Sequence, residues 1–148
     1  MRPQFKQISS FGLDECENSY IIKTCNGLKM LLWNVRSINN KVDYIMQYIV
    51  DANVTIACIT ESWLTDTANS VTFRIKHYGY DVSHRHRENG KGGGVCFIYK
   101  PSIITKQVTS RFTYDSFEFH ILLVCSPSNQ ECLSIVCVYR KQEVYFLF

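Results

Sequence analysis

Two apolar runs of strand length, Leu28–Val35 and Val54–Thr60, bracket a segment in which Val42, Ile45, Met46, Ile49 and Val50 recur at the spacing of one helical face. Asn39 or Asn40 stands where an N-cap is needed. The two runs are continuous rather than alternating, as strands buried on both faces are. A strand, a helix and a second strand in this order predict a parallel pair with a right-handed crossover, because a parallel connection needs a dozen or more residues. The C-terminal ends of both strands then lie at one edge of the sheet.

The pattern changes further along. Tyr80–Arg87 and Gly94–Lys100 flank the turn-rich segment 88–93, and Ser116–Cys125 and Cys132–Arg140 flank segment 126–131, so two antiparallel hairpins are expected. Residues 1–27 have no clear period and read as a poorly ordered leader, or at most a short strand around Tyr20–Lys23. Residues 141–148 form an apolar tail ending in Val144-Tyr145-Phe146-Leu147-Phe148, a candidate aggregation segment. The expected fold class is α/β, with one βαβ unit followed by antiparallel hairpins in a mixed sheet and a domain spanning residues 28–140.

Composition supports a packed domain. The chain has 148 residues, 46% of them apolar, and its 14% aromatic content favours strands. A net charge of +3 tolerates a polyanionic partner without demanding one. The seven Cys, at positions 16, 25, 58, 96, 125, 132 and 137, contain no Cys-x-x-Cys pair, which argues against a zinc or redox motif. Free thiols in a reducing compartment are expected, with Cys58, Cys96 and Cys137 as small buried hydrophobes and a Cys125–Cys132 bridge as the oxidised alternative. No apolar run approaches the roughly 20 residues of a membrane span, so no membrane partner and an intracellular, nuclear or cytoplasmic protein are expected.

The chemistry gathers at the shared strand edge. Asn34 lies near the end of the first strand and Glu61 directly after the second, which sets them roughly 5 Å apart laterally if the strands pair. Ligand sites in open α/β sheets collect at that edge, and an amide oxygen with a carboxylate suits Mg²⁺, which keeps water and phosphate in its other positions. On spacing alone, the favoured reading of Asn34 and Glu61 is the plain one, a turn former and a helix-start acid.

The words around them narrow the choice. Leu31-Leu32-Trp33-Asn34-Val35-Arg36-Ser37, Ile59-Thr60-Glu61-Ser62-Trp63-Leu64, Gly92-Gly93-Gly94-Val95 and Val138-Tyr139-Arg140 follow one another in an order and at separations that resemble the endonuclease/exonuclease/phosphatase family. More narrowly they look like the apurinic-endonuclease-like domain of non-LTR retrotransposons of the L2 and CR1 type. The resemblance implies a DNase I-like two-sheet α/β sandwich and a magnesium-dependent nuclease that nicks DNA. It also implies roles for three residues: Glu61 as metal ligand, Asn34 as organiser of the metal and phosphate site, and Tyr139 as the strand-end contact to the scissile phosphate. The family's Gly-Asp-x-Asn and Ser-Asp-His words do not occur in the 148 residues, and none of His77, His84, His86 and His120 replaces them. The expectation is a truncated N-terminal half, inactive by itself, in which a general base or acid worth ~10²–10⁴ in rate is lacking.

Several residues remain to be weighed. Arg36 beside the site, and Arg85, Arg87 and Lys91 around a basic hairpin tip, are candidates for DNA phosphate contact, against a plain solvated hairpin. Gly92, Gly93 and Gly94 lack the Lys-Ser/Thr ending of a P-loop and read as close-packed turn backbone. Tyr44 and Tyr48 either cover neighbouring surface or offer a stacking platform, and Trp33 and Trp63 pack around the strand ends. A second function class stands beside the nuclease: a non-catalytic module binding nucleic acid or protein, with self-association through an exposed sheet face. A phosphoinositide or sphingolipid phosphodiesterase of the same fold is a third.

Overall fold

The computed structural model describes residues 20–25, 27–108, 114, 116–128, 131–140 and 143–147. Its elements run β1 (Tyr20–Cys25), β2 (Leu28–Asn34), α1 (Val42–Asp51), β3 (Ile56–Thr60), α2 (Asn69–His77), β4 (Asp81–Arg85), β5 (Val95–Tyr99), β6 (Ile104–Gln107), β7 (Glu118–Cys125), β8 (Cys132–Arg140) and β9 (Glu143–Leu147). They form one five-stranded sheet in the order β1-β2-β3-β5-β4 and one four-stranded sheet in the order β6-β7-β8-β9. The fold is therefore α/β, as the pattern predicts, with the two sheets that the family resemblance implies in place of one mixed sheet, and β2 and β3 pair in parallel with Asn34 opposite Thr60.

Burial follows from the layering. Leu31, Trp33, Ala57, Ile59, Cys96 and Ile98 face α1 and α2 in one core, while Met30, Leu32, Ile56, Cys58, Val95, Phe97 and Tyr99 face Leu122, Ile135, Cys137 and Tyr139 of the second sheet in another. The central strands β3 and β5 are buried at every position, which is why their sequences are continuous apolar runs. In α1 the residues Val42, Ile45, Met46 and Ile49 are buried, whereas Val50, assigned to the same stripe, is exposed.

Other elements depart from expectation. The position before α1 is Lys41, with no side-chain cap bond, because the Asn39 amide donates to the Trp63 carbonyl at 3.4 Å and Lys41 Nζ donates to the Val35 carbonyl at 2.7 Å. The helix α2 carries only Val71 and Ile75 into the core, too few to register as a period, and is tied to α1 by Arg74 and Tyr78, both bonded to Asp43. Strand β1, antiparallel to β2, falls where a short strand around Tyr20–Lys23 is expected, whereas part of the apolar tail is strand β9 on the edge of the second sheet. Residues 1–19 of the leader lie outside the described residues.

The cysteines whose side chains are described divide into two groups. Cys125 and Cys132 are directly paired in the β7–β8 ladder and joined as a disulfide, so the expectation of free thiols gives way there: adjacent strand register brings the two Cβ atoms together. Cys58, Cys96 and Cys137 are free and buried, and burial pushes the Cys58 and Cys96 thiols up, keeping them protonated packing groups.

Among the polar contacts that cross between the sheets, Ser83 Oγ and His120 Nε2 lie 2.7 Å apart, with the His120 ring against Phe97. Burial pushes the His120 imidazole down to about 4, and the charges of His84 and Arg85 act in the same direction. The folded protein thus keeps His120 neutral where the unfolded chain, with an ordinary value of about 6.5, already binds a proton. This contribution is complete above about pH 6.5 and is lost progressively as pH falls toward 4, by up to roughly 3 kcal/mol. The urea-unfolding midpoint should therefore drop between about pH 7 and about pH 4.5, and His120→Gln should remove most of that slope. An unchanged slope in the variant would place the pH sensitivity elsewhere.

Candidate functional site

The site is built from backbone first. Past the end of β3, the Val35 amide donates to the Thr60 carbonyl at 3.2 Å, the Ser37 amide to Glu61 at 2.8 Å and the Ile38 amide to Ser62 at 3.0 Å. On the other side, the Ser62 amide donates to Gly94 at 3.2 Å and the Trp63 amide to Gly93 at 2.8 Å. Both neighbours of β3 thus continue to hold the chain after the strand has ended. Arg36, Ser37, Glu61 and Trp63 adopt positive φ values of 47°, 82°, 51° and 56°. Non-glycine residues seldom take that conformation, and four of them side by side mark a segment whose shape is imposed by its surroundings.

That shape brings three predicted residues together. Asn34 Nδ2 donates to Glu61 Oε1 at 3.2 Å, and the Tyr139 phenol, arriving from β8 in the second sheet, donates to the same carboxylate oxygen. The Arg36 amide donates to Asn34 Oδ1 at 3.3 Å, which settles which end of the Asn34 amide faces Glu61. Burial, followed by the hydrogen bond to Glu61 and the charges of Glu61 and Glu118, holds the Tyr139 hydroxyl well above its ordinary range, while Arg87 opposes the shift. Tyr139 is therefore a protonated donor at neutral pH.

Glu118 is a positioning residue that sequence reasoning missed. It stands opposite Tyr139 in the β7–β8 register, its Oε2 accepts the Gly94 amide at 2.6 Å, and its Oε1 pairs with Arg87. No local signal announces it, since Arg87 and Gly94 lie 31 and 24 residues away in the chain. The three glycines are close-packed turn backbone, as expected. A Cβ on Gly92 would meet the Trp63 indole at 3.1 Å, one on Gly93 would collide with the Arg87 guanidinium, and one on Gly94 would meet Ser62 Oγ at 3.0 Å.

The remaining candidates are scattered. Arg36 and Lys91 are exposed, Arg85 lies with its guanidinium 4.8 Å from the Phe119 ring centre, and Arg87 is engaged by Glu118 and by the Lys91 carbonyl at 3.2 Å. The basic tip is thus partly folded against the second sheet. His86 pairs with Asp66 at 2.8 Å and His120 with Ser83, so neither is bonded to Glu61. Tyr44 and Tyr48 make edge contacts with Trp33, at centroid distances of 6.1 and 5.2 Å, and serve as cover for that buried indole; Trp63 remains half exposed.

A strand-edge carboxylate oriented by an amide on the parallel neighbour, with a phenol brought in from a second sheet, is the arrangement against which kinship can be judged. The family model described as the Endonuclease/Exonuclease/phosphatase family matches residues 31–136, a span that includes Asn34 and Glu61. The chain belongs to the endonuclease/exonuclease/phosphatase family. No curated protein matches it. Members of the family are generally magnesium-dependent and generally act on nucleic acid.

The residues present can be tested against such an ion. Magnesium needs only one or two protein carboxylates and retains water and phosphate oxygens elsewhere. Glu61 supplies one, with Oε2 outside both bonds described above, and the buried Thr60 hydroxyl next to it lacks a partner. Among the described residues no group of three or more His, Cys, Asp or Glu could hold a metal. Glu61 is the residue that would hold such an ion, with Asn34 orienting its carboxylate.

Because Gly94 combines a φ of 82° with a crowded Cβ direction and a backbone amide bound by Glu118, Gly94→Ala should destabilise the protein by about 1–3 kcal/mol. Chemical denaturation of the variant measures this. A midpoint equal to that of the parent protein would show that the Glu61 segment does not depend on the clamp.

Proposed function

We propose that this chain carries the metal-and-phosphate part of a magnesium-dependent endonuclease site, of the kind found in non-LTR retrotransposons of the L2 and CR1 type, and that by itself it binds DNA without turning it over. The convergence of Asn34, Glu61 and Tyr139 on one carboxylate oxygen carries the reading. The motif words surrounding those residues favour the retrotransposon branch over lipid phosphodiesterases of the same fold. A nuclear or cytoplasmic location goes with it.

In this reading the roles divide simply. Glu61 holds the magnesium ion, which when bound neutralises charge on the phosphoryl oxygens. Asn34 keeps the carboxylate pointed at the strand edge. Tyr139, held protonated, donates a hydrogen bond to a non-bridging phosphate oxygen once a phosphate displaces its bond to Glu61. Exposed Arg36 and Lys91 contact flanking phosphates, with Arg85 and Arg87 nearer the second sheet.

Turnover also requires a group to move a proton at the attacking water and at the leaving oxygen. Among the described residues the four imidazoles lie elsewhere: His77 at the end of α2, His84 in β4, His86 with Asp66, and His120 in the contact between the sheets. That deficit alone costs ~10²–10⁴ in rate. The domain is assigned to residues 28–140, with β1 and β9 as added edge strands.

The second reading, a binding module, is favoured by a separate observation. Ile121, Leu123, Val136 and Val138, each half-buried, alternate with the inward residues of β7 and β8 and belong to neither packed core, so the outer side of the second sheet is apolar and partly open to self-association.

Two measurements test the proposal. Titration calorimetry with Mg²⁺ should give weak binding that Glu61→Gln removes, and a plasmid-nicking assay in Mg²⁺ should give no nicking above background. Nicking abolished by Glu61→Ala would overturn the inactivity, and Mg²⁺ affinity indifferent to Glu61→Gln would overturn the site.

A further inference from the structure

Beside the Glu61 site lies an open cleft of about 380 Å³ between the end of β4 and the start of β7. Its walls carry Arg85, Arg87, Tyr114, Phe117, Phe119 and Tyr139. The Tyr114 and Phe117 rings are stacked, 4.5 Å apart and 16° from parallel, and Phe119 lies 6.0 and 6.1 Å from each of them. The Arg85 guanidinium covers Phe119 at 4.8 Å, and Tyr114 is 51% exposed, so the outer side of the stack is open to a further ring. We infer that this cleft is a subsite for one unpaired nucleobase of a single-stranded nucleic acid whose phosphate lies at the Glu61 site. The inference rests on the reading of that site as a phosphodiester site and adds the form of the nucleic acid it accepts.

Size and aromatic lining both suit one unpaired base. A volume of this order holds one small planar ligand. A groove that tracks a duplex backbone needs several cations available to phosphates, but the Arg87 charge is already answered by Glu118. Beside the polar groups of its walls, among them Glu88 and Glu118, the cleft offers a stack of aromatic rings with a guanidinium plane at its edge, and these recognise the faces of bases irrespective of sequence. In a duplex those faces are covered by neighbouring base pairs, so only an unpaired base can use the stack.

Position links the two sites. Tyr139 forms part of the cleft wall and its hydroxyl bonds Glu61, so one residue borders both the base and the phosphate positions. A nucleotide placed with its base on the Tyr114 stack can have its phosphate directed to the strand edge that holds Glu61.

The test uses the full chain in EDTA, so that binding is read without cleavage. Fluorescence anisotropy with a labelled single-stranded oligodeoxynucleotide of about ten residues should give at least fivefold tighter binding than with the duplex of the same sequence. Tyr114→Ala and Phe119→Ala should each weaken single-strand binding roughly five- to a hundredfold, while Phe73→Ala, on the exposed side of α2, should leave it unchanged. The oligoribonucleotide of matching sequence, run in parallel, identifies which sugar is preferred. Equal affinity for single strand and duplex, or Tyr114→Ala and Phe119→Ala behaving like Phe73→Ala, would overturn the subsite. Ring-dependent single-strand binding with Mg²⁺ affinity indifferent to Glu61→Gln would leave the subsite standing and sink the metal site; the reverse pair of results would do the opposite.

Discussion

The backbone of Thr60–Trp63 is bonded on both sides, to Val35–Ile38 and to Gly93–Gly94, and the direction of the Glu61 side chain depends on that clamp. A strand that simply ended at Thr60 would leave Glu61 on a loop free to turn. Here the carbonyls of the segment and the amides of Ser62 and Trp63 are paired, and with buried backbone groups costly to leave unpaired, the left-handed conformations of Glu61 and Trp63 are cheaper to keep than to relax. The glycines serve the same end from the facing strand. Gly94 lets the backbone pass against Ser62, and Gly93 leaves room for the Arg87 guanidinium.

The site spans the two sheets, so its integrity depends on how they dock. Asn34 and Glu61 come from the first sheet and Tyr139 from the second, and the alignment is maintained by apolar packing of Phe97 and Leu32 against Leu122, Ile135 and Cys137. Apolar burial supplies most of the free energy but little direction, since hydrophobic surfaces slide at small cost. Direction comes from polar contacts across the gap: Glu118 to the Gly94 amide and Arg87, Tyr139 to Glu61, and Ser83 to His120. Each is partly buried, where a broken partner is left without water and the penalty is correspondingly larger.

How much of this was legible in the sequence follows from where each signal resides. The βαβ unit and both hairpins were legible because their stripes and turns are local, and Glu61 and Asn34 were legible because a parallel pair dictates a shared edge. The helix α2 was not, having only two buried residues, nor was the edge strand β6, whose Ile104 is 48% exposed. The absent asparagine cap on α1 has a tertiary cause, the diversion of Asn39 to the Trp63 carbonyl. Glu118 and the aromatic cleft were beyond reach for the same reason: their meaning lies in contacts between segments about thirty residues apart, and no spacing rule connects Arg87 to Glu118 or Arg85 to Phe119.

Arginine near a phosphodiester site invites the assumption that it holds phosphate, and Arg87 shows why location in the chain is insufficient. Its guanidinium is paired with a carboxylate that also accepts the Gly94 amide, and Gly94 in turn accepts from Ser62. Pulling Arg87 toward a phosphate would leave the half-buried Glu118 charge with only one donor, and uncompensated buried charge is among the more expensive defects a fold can carry. The strain would then fall on the Gly94 amide, hence on the segment that orients Glu61, and across the ladder on Tyr139. Phosphate affinity through Arg87 and the geometry of the site are therefore in competition. Under the proposed reading, a nucleic acid that leaves the Arg87–Glu118 pair intact, and takes its holding energy from ring faces instead, would not disturb the residues that orient Glu61.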